Sequence, residues 1–429
     1  MRRRPDQPDK TPPTKRATRK RLVLGLGAAL LLALAAGWRA SDDSRKQDQA
    51  HPAAASAASD AAAPASGPAS KAPIASTVPK LPATPQKKAV EFDVEALRQL
   101  DRQWCSHGAQ AYLQFTSALQ EQLSDTPESQ AQAEAQLKQW PAHRAIQQLQ
   151  EQLPERWIAS LLQRGDVRSR ATALFLTSGE SGRTAAALTE LSILAHGSAD
   201  PYVAALASQV APACKALPGC QPLAGAERLA KDPGNLVAFF DAYGDAPDVL
   251  QRLGATLPRL TEVRSYNTEL LQTLLSLPLS TEDGLYREVE QVMLMGIYSA
   301  WRIPNYSRAM SACRQPAAAA STERGTCQWL AETLWSGDES ILERALAVGL
   351  AKAMRLQEQR PDWLARQKQL ETVRQRSQAL FDSSLISEAA LANCEFQRRL
   401  SGHLRALGSL GEWRTYLRQP GTEAPEAKP

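Results

Sequence analysis

Six cysteines and five histidines are the residues of this 429-residue chain best suited to chemistry. The cysteines are Cys105, Cys214, Cys220, Cys313, Cys327 and Cys394. None forms a C-x-x-C pair, the spacing that zinc ribbons and thioredoxin-type dithiols use. An even count suggests disulfides in an oxidising compartment. Joining near neighbours pairs Cys214 with Cys220 and Cys313 with Cys327, which leaves Cys105 for Cys394. Other connectivities stay open, as does a set of six unpaired core thiols. The histidines (His51, His107, His143, His196 and His403) are scattered, and no HExxH, P-loop or GxGxxG motif occurs. Trp104-Cys105-Ser106-His107 puts a thiol near an imidazole. On a helix, however, a two-residue offset turns them about 200° apart, too far for a nucleophile and its base.

Gly179-Glu180-Ser181-Gly182-Arg183 begins like a nucleophile elbow. Arg183 stands where the last glycine belongs, and no strand precedes it. Glu180-Ser181 is similar to the catalytic Glu-Ser pair of helical envelope enzymes that cleave cell-wall glycan. That resemblance implies a catalytic acid at Glu180, but the family's downstream glycine- and glutamine-containing motif is missing. A turn between helices is the competing reading. Asn305-Tyr306-Ser307 is an isolated glycosylation sequon. The expectation is therefore a chain with no catalytic residues, no metal ligands and no cofactor.

The element that would place all of these residues is Leu22 to Trp38, 17 uncharged residues after a basic run. As a helix it covers about 26 Å, the short end of a membrane span. Nine basic residues (Arg2, Arg3, Arg4, Lys10, Lys15, Arg16, Arg19, Lys20 and Arg21) precede it, against Asp6 and Asp9. The positive-inside rule puts residues 1–21 in the cytoplasm and the rest outside it, in the periplasm if the membrane is a bacterial inner membrane. The alternative is a signal peptide cleaved after Ala35, within Ala33-Leu34-Ala35. Gly25, Ala29, Ala33 and Gly37 recur every fourth residue, a small-residue ridge that could pair two such helices into a homodimer.

The chain carries 50 Lys+Arg and 45 Asp+Glu, a net +5. Almost all of the excess lies before Leu22, so the charge is a topology signal and gives no support to nucleic-acid binding. Residues 39–90 are rich in Ala, Pro and Ser and hold too little apolar surface to fold, so they read as a disordered tether. The remaining 91–418, with a disordered tail at 419–429, is long enough for a sizeable core.

That domain reads as all-α. Val94, Leu97, Leu100, Trp104, Ala111, Phe115 and Leu119 form one apolar stripe at helical spacing. Thr126-Pro127-Glu128 and Asp200-Pro201 are helix starts. A break is expected near Pro141, and a short helix from Pro154 to Leu162. Cys327, Leu330, Ala331 and Leu334 line one helix. Ser340 with Glu343 suggests a capping box for the next, whose stripe is Leu342, Ala345, Leu346, Gly349, Leu350, Ala353 and Met354. A link this short requires a hairpin, with small Ala345 and Gly349 at the close approach. Further helices are expected at Trp363–Phe381 and Ser387–Leu407. Trp329, Trp335 and Trp363 are candidates for an aromatic-lined groove, or for core.

Leu229-Ala230-Lys231-Asp232-Pro233-Gly234-Asn235, followed by Phe239 and Ala255, resembles the junction between tetratricopeptide repeats. Ala242, Tyr243, Ala246, Arg259 and Glu262 depart from that pattern, and no second copy at the family's period is visible. The resemblance implies helical hairpins or an irregular helical repeat and, loosely, protein binding. The expectation is thus a single-pass envelope protein whose helical domain binds another protein, with an envelope hydrolase or a structural spacer as alternatives.

Overall fold

The computed structural model describes residues 94–122, 126–179, 184–314, 321–337, 340–379 and 393–418. The expected transmembrane helix 22–38 with Gly25, Ala29, Ala33 and Gly37, the tether 39–90, the tail 419–429 and the Glu180–Ser181 pair lie outside the described residues.

The described chain is all-α, and no strand occurs among the described residues. Its helices are α1 (Val94–Gln103), α2 (Ala109–Gln122), α3 (Pro127–Gln139), α4 (Pro141–Arg164), α5 (Val167–Thr177) and α6 (Thr184–Gly197). Then come α7 (Pro201–Lys215), α8 (Gly225–Lys231), α9 (Leu236–Tyr243), α10 (Val249–Thr256), α11 (Asn267–Leu275) and α12 (Leu285–Ser299). The last are α13 (Ser307–Arg314), α14 (Ser321–Ser336), α15 (Ile341–Ala353), α16 (Leu356–Gln359), α17 (Asp362–Ala379) and α18 (Glu395–Arg418).

Short polar side chains start many of these helices by accepting an otherwise orphaned backbone N–H. Thr126 accepts from Ser129 at 3.3 Å, Asp166 from Ser169 at 2.9 Å, and Asp200 from Tyr202 at 3.0 Å. Ser340 accepts from Leu342 at 3.0 Å. Glu343 does not complete the expected capping box. It is buried, and its Oε1 accepts from the Tyr306 hydroxyl at 3.5 Å.

Two hydrophobic cores result. The first gathers α1, α4 to α7, α11, α12 and the start of α18 around Trp157, Leu161, Leu191, Leu206, Leu274 and Leu294. The second gathers α9, α10, α13 to α17 and the end of α18 around Phe239, Leu253, Leu330, Leu334, Leu350 and Trp363. Helix α18 serves both cores. It bends at Gly411, whose φ of 76° is a left-handed conformation that glycine adopts without a β-carbon clash. Leu400, Leu404 and Leu407 pack before the bend, and Trp413 and Tyr416 after it.

Several local expectations change. A π-helical turn, Trp104–Gly108, interrupts the first stripe. It inserts an extra residue into the turn, so Ala109 is buried and Ala111 is exposed. Helix α4 runs unbroken through Pro154, because Leu149, Leu153, Trp157, Ile158 and Leu161 form one continuous buried face. That burial outweighs the lost N–H and the ring clash of an internal proline. The α14–α15 hairpin is present. Gly349, however, does not mark a close approach, since a β-carbon there would meet nothing within 4 Å. The buried face of α15 is Glu343, Arg344, Ala347, Val348, Leu350 and Ala351, rotated from the apolar stripe by two buried charged residues.

Candidate functional site

The cysteines lie as three bridges: Cys105–Cys394, Cys214–Cys220 and Cys313–Cys327, with Cα separations of 5.0, 5.3 and 5.7 Å. The bridge at Cys105 removes the thiol that His107 would have activated, and His107 is exposed on the π turn. Asn305 of the sequon turns its amide to Asp245 at 2.6 Å, and its Oδ1 accepts the Ser307 N–H at 3.0 Å at the start of α13.

One arrangement escaped sequence reading. Ser192 and His196 share a face of α6 at i, i+4 spacing, and both meet the carbonyl of Gln221. The Ser192 hydroxyl donates to that oxygen, and His196 Nε2 lies 3.3 Å from it. His196 Nδ1 is 2.8 Å from Glu227 Oε1 on α8. An imidazole oriented by a carboxylate is two thirds of a hydrolytic triad. The serine does not complete it. Ser192 is buried and its proton goes to a backbone carbonyl, so no nucleophile faces a substrate. The cluster instead fastens the chain after the Cys214–Cys220 loop to α6. Lys231 closes the same end of α6, donating to the carbonyls of His196 and Ser198 at 3.1 and 2.7 Å. The i, i+4 spacing was readable, but the approach of Glu227 was not.

A second cluster surrounds the first turn of α12. Asp101 on α1 accepts the Tyr286 N–H at 2.9 Å and so caps α12 from another helix. The Trp104 indole and the Gln397 amide both donate to Glu288 Oε2, at 2.7 and 2.8 Å. Gln397 also accepts the Gly284 N–H at 3.1 Å and donates to the Gly284 carbonyl at 3.0 Å. Desolvation raises the Glu288 and Asp101 carboxyls above their ordinary values, only partly offset by these hydrogen bonds. The Cys105–Cys394 bridge joins the same two elements, α1's extension and the residue before α18.

A third cluster lies beside the helix α8–α9 junction, where the tetratricopeptide resemblance falls. Arg228, fully buried, sends Nη1 to Asp232 Oδ2 at 3.3 Å, and its Nε lies 3.8 Å from Asp241. Asp232 Oδ2 also accepts from the Asn235 amide at 2.8 Å and from the Tyr266 hydroxyl at 3.0 Å. Asn235 Oδ1 in turn accepts the Val237 and Arg264 N–H groups. Burial raises the Asp241 carboxyl, although Arg302 and Arg228 pull it down. These residues tie first-core Tyr266 to the start of second-core α9, which makes the cluster a buried polar seam between the cores.

The candidate aromatic groove is filled. Trp363 is fully buried, and Trp329 and Trp335 pack half-buried against the second core. Arg366 stacks 4.3 Å over Trp363, and Arg344 lies 4.1 Å over Trp413 and 4.9 Å over Trp335. These cation–π contacts hold α14, α15, α17 and α18 together. A small open cleft of about 250 Å³ lies between α4 and the chain before α12, lined by Arg156, Trp157, Ala159, Ser160 and Pro278.

No protein-family model, curated protein or solved structure matches this chain.

Proposed function

We propose that this chain is a single-pass membrane protein whose disulfide-stapled helical domain stands outside the cytoplasm and binds another protein of the envelope. The observation that carries the compartment is the pairing of all six cysteines, two bridges within a core and one joining the π turn after α1 to the residue before α18. Such pairing persists where thiols are not held reduced. The 17-residue apolar segment at Leu22 supplies the anchor, and the residues around Gly25, Ala29, Ala33 and Gly37 a face for pairing two copies. The binding role is supported by helical hairpins such as α8–α9 and α14–α15, and by exposed apolar side chains on outer helix faces, Ile193 and Leu364 among them.

Two measurements test this. A reporter active only outside the cytoplasm, fused behind residue 90, should be active; silence would remove the topology. Crosslinking in intact cells through residues on α6 and α17 should capture a discrete protein of the envelope. A domain that captures nothing while turning over a cell-wall substrate would replace the binding role with a catalytic one.

A further inference from the structure

The three bridges are not equivalent. Cys105 is half-buried, whereas Cys214, Cys220, Cys313, Cys327 and Cys394 are each at most 7 % exposed. Cys394 has φ of 54°, a left-handed backbone conformation that a residue with a β-carbon disfavours. Cys105 lies in the π-helical turn, where Gly108 leaves room for the Trp104 ring; a β-carbon at Gly108 would come within 2.8 Å of it. One bridge therefore combines the least buried of the six cysteines with two irregular backbone positions, and relaxing them favours the open form.

Its location gives the opening a consequence. The bridge fastens the C-terminal end of α1, through the π-helical turn that follows it, to the residue before α18. Beyond it, α1 is held by the Asp101 cap on α12, by Leu97 and Leu100 against the first core, and by the adjoining Trp104–Glu288 contact. Most of the other α1 side chains are exposed.

We propose that Cys105–Cys394 is a redox latch, opened by a dithiol reductant at Cys105 while the other two bridges stay closed, and that its opening loosens α1 from α12 and α18. A thiolate of the reductant attacks Cys105 Sγ, forming a mixed disulfide and expelling the Cys394 thiolate, which takes up a proton. The second thiolate of the reductant attacks its own sulfur in the mixed disulfide, closing its ring and releasing Cys105, which is also protonated. Two electrons and two protons pass from the dithiol to the bridge. This inference rests on the cysteine geometry and is independent of which partner the domain binds.

The full chain in detergent, titrated with dithiothreitol, tests it by differential alkylation with peptide mass spectrometry and by amide hydrogen exchange. Cys105 and Cys394 should become alkylated on the order of tenfold faster than the other four cysteines. In the opened protein, amides of Val94–Gln103 should exchange on the order of tenfold faster, while those of α14 and α15 are unchanged. The double variant Cys105→Ser/Cys394→Ser should show the fast α1 exchange without reductant; if it does not fold, the wild-type titration decides alone. Another bridge opening first, all three opening together, or α1 exchange unaffected by opening would overturn the latch.

Discussion

The Trp104 indole N–H meets Glu288 Oε2 at 2.7 Å, across 184 residues of chain. The same oxygen accepts the Gln397 amide, so one carboxylate gathers α1, α12 and α18. Replacing Glu288 with Leu leaves the Trp104 indole N–H buried without this acceptor and the Gln397 amide with only the Gly284 carbonyl. The expected loss is about 3 kcal/mol in urea denaturation, at roughly 1–3 kcal/mol per orphaned group. Burial raises this carboxyl, so the folded state holds its proton more tightly than the unfolded state does. Its contribution is therefore fully present below the ordinary carboxylate pKa and declines as pH rises through the raised folded value. Glu288→Gln should remove that decline, seen as a flatter stability curve from mildly acidic to neutral pH.

His403 acts with the opposite sign. It is buried, its Nε2 lies 3.0 Å from the Tyr416 hydroxyl, and its Nδ1 has no hydrogen-bond partner. Desolvation lowers its pKa from 6.5 to about 4. The fold thus favours the neutral ring, and stability present above 6.5 is lost as pH falls toward 4. Between pH 7 and pH 5 this one residue should cost about 2 kcal/mol. The difference in stability between wild type and His403→Gln, measured at both pH values, isolates it. A difference that does not move with pH would remove His403 as an acid-sensitive position.

Asp232 neutralises Arg228 within the polar seam, where both side chains are almost wholly buried. Asp232→Ala leaves the guanidinium the more distant Asp241 as counter-charge and a long contact to the Pro201 carbonyl, and leaves the Tyr266 hydroxyl and the Asn235 amide each short of an acceptor. The expected loss is roughly 3–5 kcal/mol. Mutating Asp232 and Arg228 together to apolar residues should recover part of it, which a double-mutant cycle would show.

Two glycine-to-alanine substitutions in helices should differ in sign. A β-carbon at Gly225 would lie 2.5 Å from Ala242 Cα and 2.7 Å from the Asp241 carbonyl, so α8 and α9 would have to separate. Gly225→Ala should cost about 1–3 kcal/mol. At Gly349 the β-carbon meets open space, and alanine should stabilise α15 by about 0.5–1 kcal/mol. Thermal unfolding of both variants gives the comparison.

Much of the fold was legible because its signals are local. Thr126, Asp200 and Ser340 each accept a backbone N–H from within three residues, a contact that short-range chemistry alone predicts. Cys214 and Cys220 are six positions apart, so the chain itself holds them near each other. Where local signals conflicted with packing, packing decided. Pro154 marks a helix start by its own chemistry, yet it sits inside α4 because the residues on either side share one buried face.

The amino-acid sequence by itself determined the helical class, many of the helix starts and the even cysteine count, since these follow from side chains within about one turn of each other. It did not determine that Glu343 and Arg344 would be buried, that a π turn would redirect Cys105, or that His196 would find Glu227 and Trp104 find Glu288. Those outcomes join residues from separate helices. Local periodicity carries no information about which faces meet, and only the packing of the two cores supplies it.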